Sequence, residues 1–263
     1  MKLSLITVAL NCAETIAETL SSVAVQSLPP FEHIVIDGAS TDATVAIVKS
    51  RGTSATRLIS EPDRGIYDAM NKGIGVATGD VIGFLNADDY YVSPAIIATI
   101  AKVFEDPGVD ACYGDLIYVR KLDTDAVVRY WRSSVFTPGD FARGWCPPHP
   151  TFYVRRAALD LNGRFDTRFR LAADVELMLR LLEVQRLNAC YIPQVLVAMR
   201  MGGATNANWS NIIEQNREIW RALGMHTARR SLARYTLGKI RLRVGQVLAR
   251  SDWPRVSTSP QRV

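Results

Sequence analysis

The chain has 263 residues, 48% hydrophobic and 22% charged, with four cysteines and a formal charge of +5. That composition supports a sizeable core and excludes a disordered chain, while Cys12, Cys112, Cys146 and Cys190 form no CxxC or CxxH pair, which argues against a disulfide framework or zinc site and fits a reducing cytoplasm. No apolar run reaches the roughly eighteen residues of a membrane span, and the basicity is confined to residues 228–250, which hold seven basic residues and no acid, unlike the spread charge of a nucleic-acid binder.

Leu3 to Leu10 reads as a first strand rather than a signal-peptide core, because Asn11 and Glu14 interrupt the apolar run. Ile16, Leu20 and Val23 then fall at helical spacing between Ala13 and Gln26. His33 to Asp37 is a second strand, and Thr41, Asp42 and Thr44 offer caps for a helix through Val45 and Val48. Arg57 to Ser60 is a short third strand. Ile66, Met70 and Ile74 mark the buried face of the next helix, which leads into a strand at Val81 to Leu85; Pro94 opens a helix through Ile96, Ile97, Ile100 and Phe104. Four βα units in succession imply a parallel sheet covered on both faces. The pattern then changes. Asp110 to Arg120 and Ala126 to Trp131 read as an antiparallel pair, Gly139 to Pro150 as a loop, His149 to Val154 as a strand and Asp174 to Glu183 as an amphipathic helix. Helices resume after Asn206, and residues 251–263 have the composition of a disordered tail.

The chemistry gathers at strand ends. Thr7 and Asn11 follow the first strand, Asp37 the second, Asp63 and Arg64 the third, Asp88 and Asp89 the fourth, and open α/β sheets bind ligands at the carboxyl ends of their strands. Adjacent carboxylates repel unless a cation or hydrogen-bond donor separates them, so the Asp88-Asp89 pair points to Mg²⁺ or Mn²⁺, hard cations held by carboxylates and substrate phosphates. Arg64 and Lys72 would counter phosphate charge. Tyr67, Asp68 and Asn71 are about one helical turn apart and share a face. For each residue alone, a solvated turn or a satisfied loop is the other reading. A Rossmann dehydrogenase is disfavoured because no GxGxxG turn follows the first strand, and a sugar nucleotidyltransferase would need a Gly-rich loop there that is absent.

These pieces, in order, resemble the family 2 glycosyltransferases: SLITVALNCAETIAETLSSVAVQS, HIVIDGASTDATVAIV, SEPDRGIYDAMNKGIGVATGDVIGFLNADD, then YGD at Tyr113 to Asp115, HPTFYVRR from His149, LAADVELMLRL around Asp174 and RMGGATN from Arg200. The resemblance implies a GT-A, Rossmann-like, three-layer α/β/α fold with a mainly parallel sheet and added C-terminal helices. It implies a transferase domain over 1–206, with 1–120 as the nucleotide-sugar half and 121–206 as the acceptor half, a basic amphipathic extension over 207–250 and a tail over 251–263. The implied reaction moves a sugar from a nucleoside diphosphate to a hydroxyl with inversion, the acceptor being a lipid-linked, polysaccharide or glycolipid intermediate.

By position, the resemblance gives Thr7, Asn11, Asp37, Arg64, Asn71, Lys72 and Asp88 to the nucleotide sugar, Asp89 to the metal and Asp174 to the catalytic base, with Glu176 as the fallback. Asp115, His149 and Arg180 become candidate contacts to the acceptor or diphosphate. The family's Asp-Asp-Gly-Ser is Asp37-Gly38-Ala39-Ser40 here, so the second acid is missing and its base contact falls to Asp37. Asn86 likewise replaces an Asp often found before Ala-Asp-Asp. For Asp174, a helix cap is the competing role. A non-catalytic nucleotide-sugar binder or scaffold is the competing function. The basic segment 228–250 interleaves Leu232, Tyr235, Ile240, Val244 and Leu248 with arginines, as an interfacial helix on an anionic membrane would; an ordinary docked helix is the alternative. Cytoplasmic placement, peripheral to the inner face of the membrane, is the corresponding expectation.

Overall fold

The structure, a computed structural model, describes residues 1–121, 123–202, 209–227 and 231–253. Most of the predicted tail and Arg229 and Arg230 lie outside the described residues.

Strand β1 (Leu3–Ala9) is buried at every position, as expected of a central parallel strand covered on both faces. It pairs in parallel with β2 (Glu32–Asp37) on one side and β4 (Val81–Phe84) on the other, and β3 (Thr56–Ser60) extends the edge beyond β2. The helices α1 (Ile16–Ala24), α2 (Thr44–Arg51) and α3 (Ile66–Val76) make the crossovers. Ile6, Val8, Ile34 and Ile36 pack with Tyr67, Met70 and Ile74 of α3 on one face. Leu3, Leu5 and Val81 pack on the other with Ile96, Ile97 and Ile100 of α4 (Ile96–Val103). The α4 helix begins two residues after Pro94, with Ser93 Oγ accepting from the Ala95 N–H in the preceding turn.

The second half of the sheet is mixed. Its order is β3-β2-β1-β4-β8-β6-β9-β5, with β7 beside β6. Here β5 is Asp89–Tyr91, β6 Ala111–Val119, β7 Val127–Trp131, β8 Tyr153–Arg155 and β9 Ala189–Arg200. The antiparallel β6–β7 pair follows the sequence pattern, whereas β6 also runs parallel to β9, a long strand whose irregular burial hides its period. His149–Thr151 forms a 3₁₀ turn before β8 rather than part of the strand. The remaining helices are α5 (Arg156–Asn162), α6 (Ala173–Leu179), which widens into a π turn at Arg180–Val184, α7 (Trp209–His226) and α8 (Leu232–Leu248). Ile219, Ala222 and Leu223 of α7 and Tyr235 of α8 are buried in the same core as Leu177 and Leu181.

Thr7 does not face the strand-end crevice. It is fully buried, and its Oγ1 lies 2.8 Å from Nε2 of fully buried His33. The reason is the period-2 alternation of the strand: Val8, one residue on, turns toward α3 and the crevice instead. Burial pushes the His33 pKa down to about 4. Below about pH 6.5 the unfolded chain therefore takes up a proton that the folded chain refuses, and stability falls as pH drops from about 6.5 toward 4, by at most about 1.4 kcal/mol per unit. Urea denaturation at pH 7 and pH 5 is expected to show wild type losing about 2 kcal/mol more than His33→Asn over that interval.

Candidate functional site

A crevice of about 1010 Å³ opens at the carboxyl ends of β1, β3 and β4 and runs to the start of α6. That is ample for a nucleotide-sized ligand. Asn11, Arg64, Asp88, His149 and Asp174 all line it.

Asn11 adopts φ 49°, and its Oδ1 accepts from the Thr41 N–H at 2.9 Å, tying the loop after β2 to the rim. Arg64 is largely exposed, with Nη2 2.9 Å from Asp68 Oδ1. Asp68 also accepts from the Arg64 N–H, and the hydrogen bonds from the Arg64 side chain and backbone, aided by the Arg64 charge, hold its carboxyl below the usual range against the opposing effect of burial.

At the opposite wall, Asp88 is half-buried and faces the crevice, whereas Asp89 does not. Asp89 is fully buried, at the start of β5 where it pairs with Met199 of β9, and its Oδ2 accepts from Asn86 Nδ2 at 3.1 Å. Burial, and then the charge of Asp88, push the Asp89 carboxyl well above the carboxylate range; burial also raises Asp88. Of the two acids only Asp88 lines the crevice, because the turn at Asn86-Ala87 sends one outward and leaves Asp89, the expected metal ligand, behind it. Arg200 secures that turn: its Nη1 donates to the Asp88 carbonyl at 2.6 Å and its Nη2 pairs with Glu18. The sequence motif containing Arg200 was visible, but a long-range backbone contact of this kind leaves no local pattern.

The donor set fits a hard divalent cation in one way. Asn86 Oδ1 and Asp89 Oδ1 are both buried without a hydrogen-bond partner in the turn that carries Asp88, and the described residues contain no group of three or more His, Cys, Asp or Glu able to hold a metal alone. The chain would thus supply the Asp88 carboxylate, with ligand phosphates completing the shell, the usual Mg²⁺ arrangement.

Asp174 occupies the first turn of α6, and its Oδ1 accepts from the Tyr67 hydroxyl at 2.9 Å. Burial and the Asp174 charge raise the Tyr67 phenol well above its ordinary value, so it remains a donor. The loop entering α6 is held from α7: the Arg170, Leu171 and Ala172 N–H groups donate to the buried Glu218 carboxylate at 2.7, 2.8 and 2.9 Å. Glu218→Gln removes this charged acceptor and turns an amide N–H toward donors. The expected cost is about 2–3 kcal/mol by urea denaturation, with turnover reduced up to about 10²-fold through misplacement of Asp174. Wild-type stability in this variant would remove Glu218 from the positioning role.

His149 stacks on Phe84 at 5.3 Å between ring centroids and meets Phe165 edge-on. Burial lowers its pKa and keeps the ring neutral, and its Nε2 has no hydrogen-bond partner. His149 lines the crevice, with that nitrogen itself buried in the wall.

The other expected site residues serve the fold. Asp37 is fully buried and accepts from Ser40 N at 3.0 Å, Ser60 Oγ at 2.7 Å and Ser40 Oγ, so its oxygens bind the loop rather than line the crevice. Asn71 clamps Phe165 by donating to its carbonyl and accepting from its N–H. Lys72 turns back to Glu61 and the Pro62 carbonyl. Asp115 is buried and accepts from Tyr130, Tyr191 and Ser133 N, each at 2.8 Å. Arg180 forks onto Glu176 and donates to the Asn162, Gly163 and Arg164 carbonyls. Glu176 itself is spent on Arg180 and His226, which corrects its fallback role. In each case a polar residue that sequence order places near the site is needed more urgently by buried backbone or side-chain groups.

The glycosyl transferase family 2 model matches residues 4–163. A PGL/p-HBAD biosynthesis glycosyltransferase of Mycobacterium bovis is 31% identical over 216 residues, covering 77% of this chain and 78% of that protein. An uncharacterized glycosyltransferase of Mycobacterium tuberculosis is 32% identical over 180 residues, 67% of each. Among solved structures, S. aureus TarS 1–349 shares the fold with a TM-score of 0.65 at 18% identity, over 92% of this chain and 72% of that one. Mannosyltransferase PcManGT from Pyrobaculum calidifontis, solved with GDP-Man and Mn²⁺, gives a TM-score of 0.58 at 20% identity, over 94% and 80%. With its GT-A architecture and a family match over more than half its length, the chain belongs to glycosyl transferase family 2 and is a glycosyltransferase.

Proposed function

We propose that the crevice binds a nucleoside-diphosphate sugar between Asp88 and Asp174 and transfers the sugar, with inversion, to an acceptor hydroxyl. The observation that carries this reading is the Asp174 carboxylate, held by Tyr67 at one end of a crevice whose other wall presents Asp88. Asp174 would take the hydroxyl proton as the acceptor oxygen forms its bond to the anomeric carbon and the bond to the diphosphate breaks, a role worth about 10²- to 10⁴-fold. Arg64 and Arg170, which is also in the lining, would hold phosphate charge. A cation at Asp88, Mg²⁺ or Mn²⁺, would supply neutralisation of the leaving diphosphate. Incubation with Mn²⁺ and a panel of nucleotide sugars tests the reading: slow hydrolysis of one donor is expected. Nucleotide binding with no hydrolysis or transfer to any offered acceptor would favour the non-catalytic binder.

The acceptor is read from α8. Its inner face is docked so tightly that a Cβ at Gly238 would fall 1.8 Å from the Arg143 carbonyl oxygen. Its outer face leaves Leu237, Ile240, Val244 and Leu248 between 53% and 72% exposed, at helical spacing beside the exposed Arg234, Arg241 and Arg250. No described helix is long and apolar enough to cross a membrane. An apolar stripe edged by arginines suits the surface of an anionic bilayer, each basic residue adding about 1 kcal/mol, and supports the reading of a lipid-linked acceptor. The full chain is expected to float with phosphatidylglycerol vesicles and to stay behind with phosphatidylcholine. Leu237→Gln with Val244→Gln should lower flotation strongly, and equal flotation of both proteins would reject the membrane face.

A further inference from the structure

The crevice is lined by an ion pair that the preceding reading does not use. Glu14, in the loop between β1 and α1, and Lys121, just after β6, both face it, with Lys121 Nζ 2.9 Å from Glu14 Oε2. Lys121 also acts on Asp88: burial raises the Asp88 carboxyl, and the charges of Arg200 and Lys121 oppose that rise. The other cations of the lining are held differently. Arg200 is buried and fixed by Glu18 and the Asp88 carbonyl, and Arg64 lies on the β3 side, paired with Asp68. The Lys121 side chain is 55% exposed and that of Glu14 77%, and Glu14 is the only carboxylate partner of Lys121 among the described residues. An exposed pair of this kind is weak, and a lysine stem swings its point charge through several ångströms with no movement of the backbone. A glutamate facing a phosphate-binding crevice also has a cost, because without a cation beside it the carboxylate repels the ligand.

Resting on the proposed donor site, we infer that Lys121 passes between Glu14 and the ligand's diphosphate, and that Glu14 is the internal competitor that takes Lys121 back and hastens release of the nucleoside diphosphate. In the empty crevice Glu14 holds the ammonium at the rim. A diphosphate carries more negative charge than one exposed carboxylate and outcompetes it for that cation. Lys121 then adds a mobile positive charge beside the leaving group, where negative charge grows as the bond to the anomeric carbon breaks. Its departure leaves Glu14 without a counter-charge, facing the bound phosphates. After transfer, that repulsion favours return of Lys121 to Glu14 and loss of the product, a step that limits turnover in many enzymes. The same two residues thus strengthen the hold on the diphosphate during the reaction and loosen it afterwards.

Calorimetry of the full chain with UDP and with GDP in Mn²⁺, joined to stopped-flow measurement of nucleotide dissociation, tests the exchange on whichever nucleotide binds. Lys121→Gln removes the mobile cation and should weaken binding about tenfold. Glu14→Gln should do the opposite: with the competitor gone, affinity is expected to rise about three- to fivefold, chiefly through slower dissociation. Both variants should unfold at nearly the wild-type urea concentration, since an exposed pair adds little to stability. A pair that only ties two loops together would give both variants the same sign, weaker binding together with earlier unfolding. That result overturns the inference, as does unchanged affinity and dissociation in Glu14→Gln or unchanged affinity in Lys121→Gln. Failure of wild type to bind either nucleotide overturns the donor-site reading itself, and this one with it.

Discussion

Asp174→Asn is expected to abolish sugar transfer while leaving donor binding nearly intact. The amide preserves the shape of the carboxyl and can still accept from the Tyr67 hydroxyl, which holds Asp174 Oδ1 at 2.9 Å, so the helix and the crevice wall should remain in place. What is lost is the capacity to take a proton. A positioned base contributes about 10²- to 10⁴-fold, and turnover should fall by that factor with nucleotide affinity, read by calorimetry, little changed. Tyr67→Phe provides the graded comparison, since it frees the carboxylate without removing it. Near-normal turnover in Asp174→Asn would take this residue out of the reaction, and Glu176 could not replace it, being committed to Arg180 and His226.

The second large effect concerns the acid pair. Asp88→Asn is expected to weaken Mn²⁺-dependent nucleotide binding, whereas Asp89→Asn should leave it largely unchanged. Even a residue behind a metal ligand typically controls about 10- to 100-fold in metal affinity, so loss of the ligand itself should cost at least about 100-fold. Asp89 is fully buried and its carboxyl is driven toward the protonated form by burial and by Asp88, so an amide there replaces a group that carries little charge. Titration of each variant with UDP, with Mn²⁺ and with EDTA in its place, separates the two. An equal loss in both variants, or a larger one in Asp89→Asn, would return the metal role to Asp89. Binding of wild type that ignores EDTA would remove the metal from the site.

Between the two acids the difference is one residue of register, and a single residue is below what sequence reading resolves. The run NADD announces a carboxylate at the end of a buried strand, but which oxygen faces outward depends on the Asn86-Ala87 turn and on β5 pairing with β9 more than a hundred residues later. The same limit explains Thr7 and Val8 on β1. Long-range use of polar groups is equally hidden: by position Asp115 is a candidate ligand contact or a turn residue, and in the structure it satisfies two tyrosine hydroxyls and a backbone N–H brought together by β7 and β9. Glu218 sits in a helix read only as an extension, and its function depends on three N–H groups some 46 to 48 residues away.

The sequence by itself determined the family, the run of βα units and the strand ends at which chemistry collects, because buried strands and amphipathic helices write their periods locally and the family's motifs stand in order. Only the tertiary structure decided which polar groups are left over once buried donors and acceptors have been satisfied. Asp174, Asp88 and Asp63 line the crevice, while Asp37, Asp115 and Glu176 are buried and spent on internal partners, and Asp89 is buried with one oxygen paired to Asn86 and the other without a partner. The physical reason is that satisfaction of a buried polar group is a property of the whole packing, and no spacing along the chain encodes it.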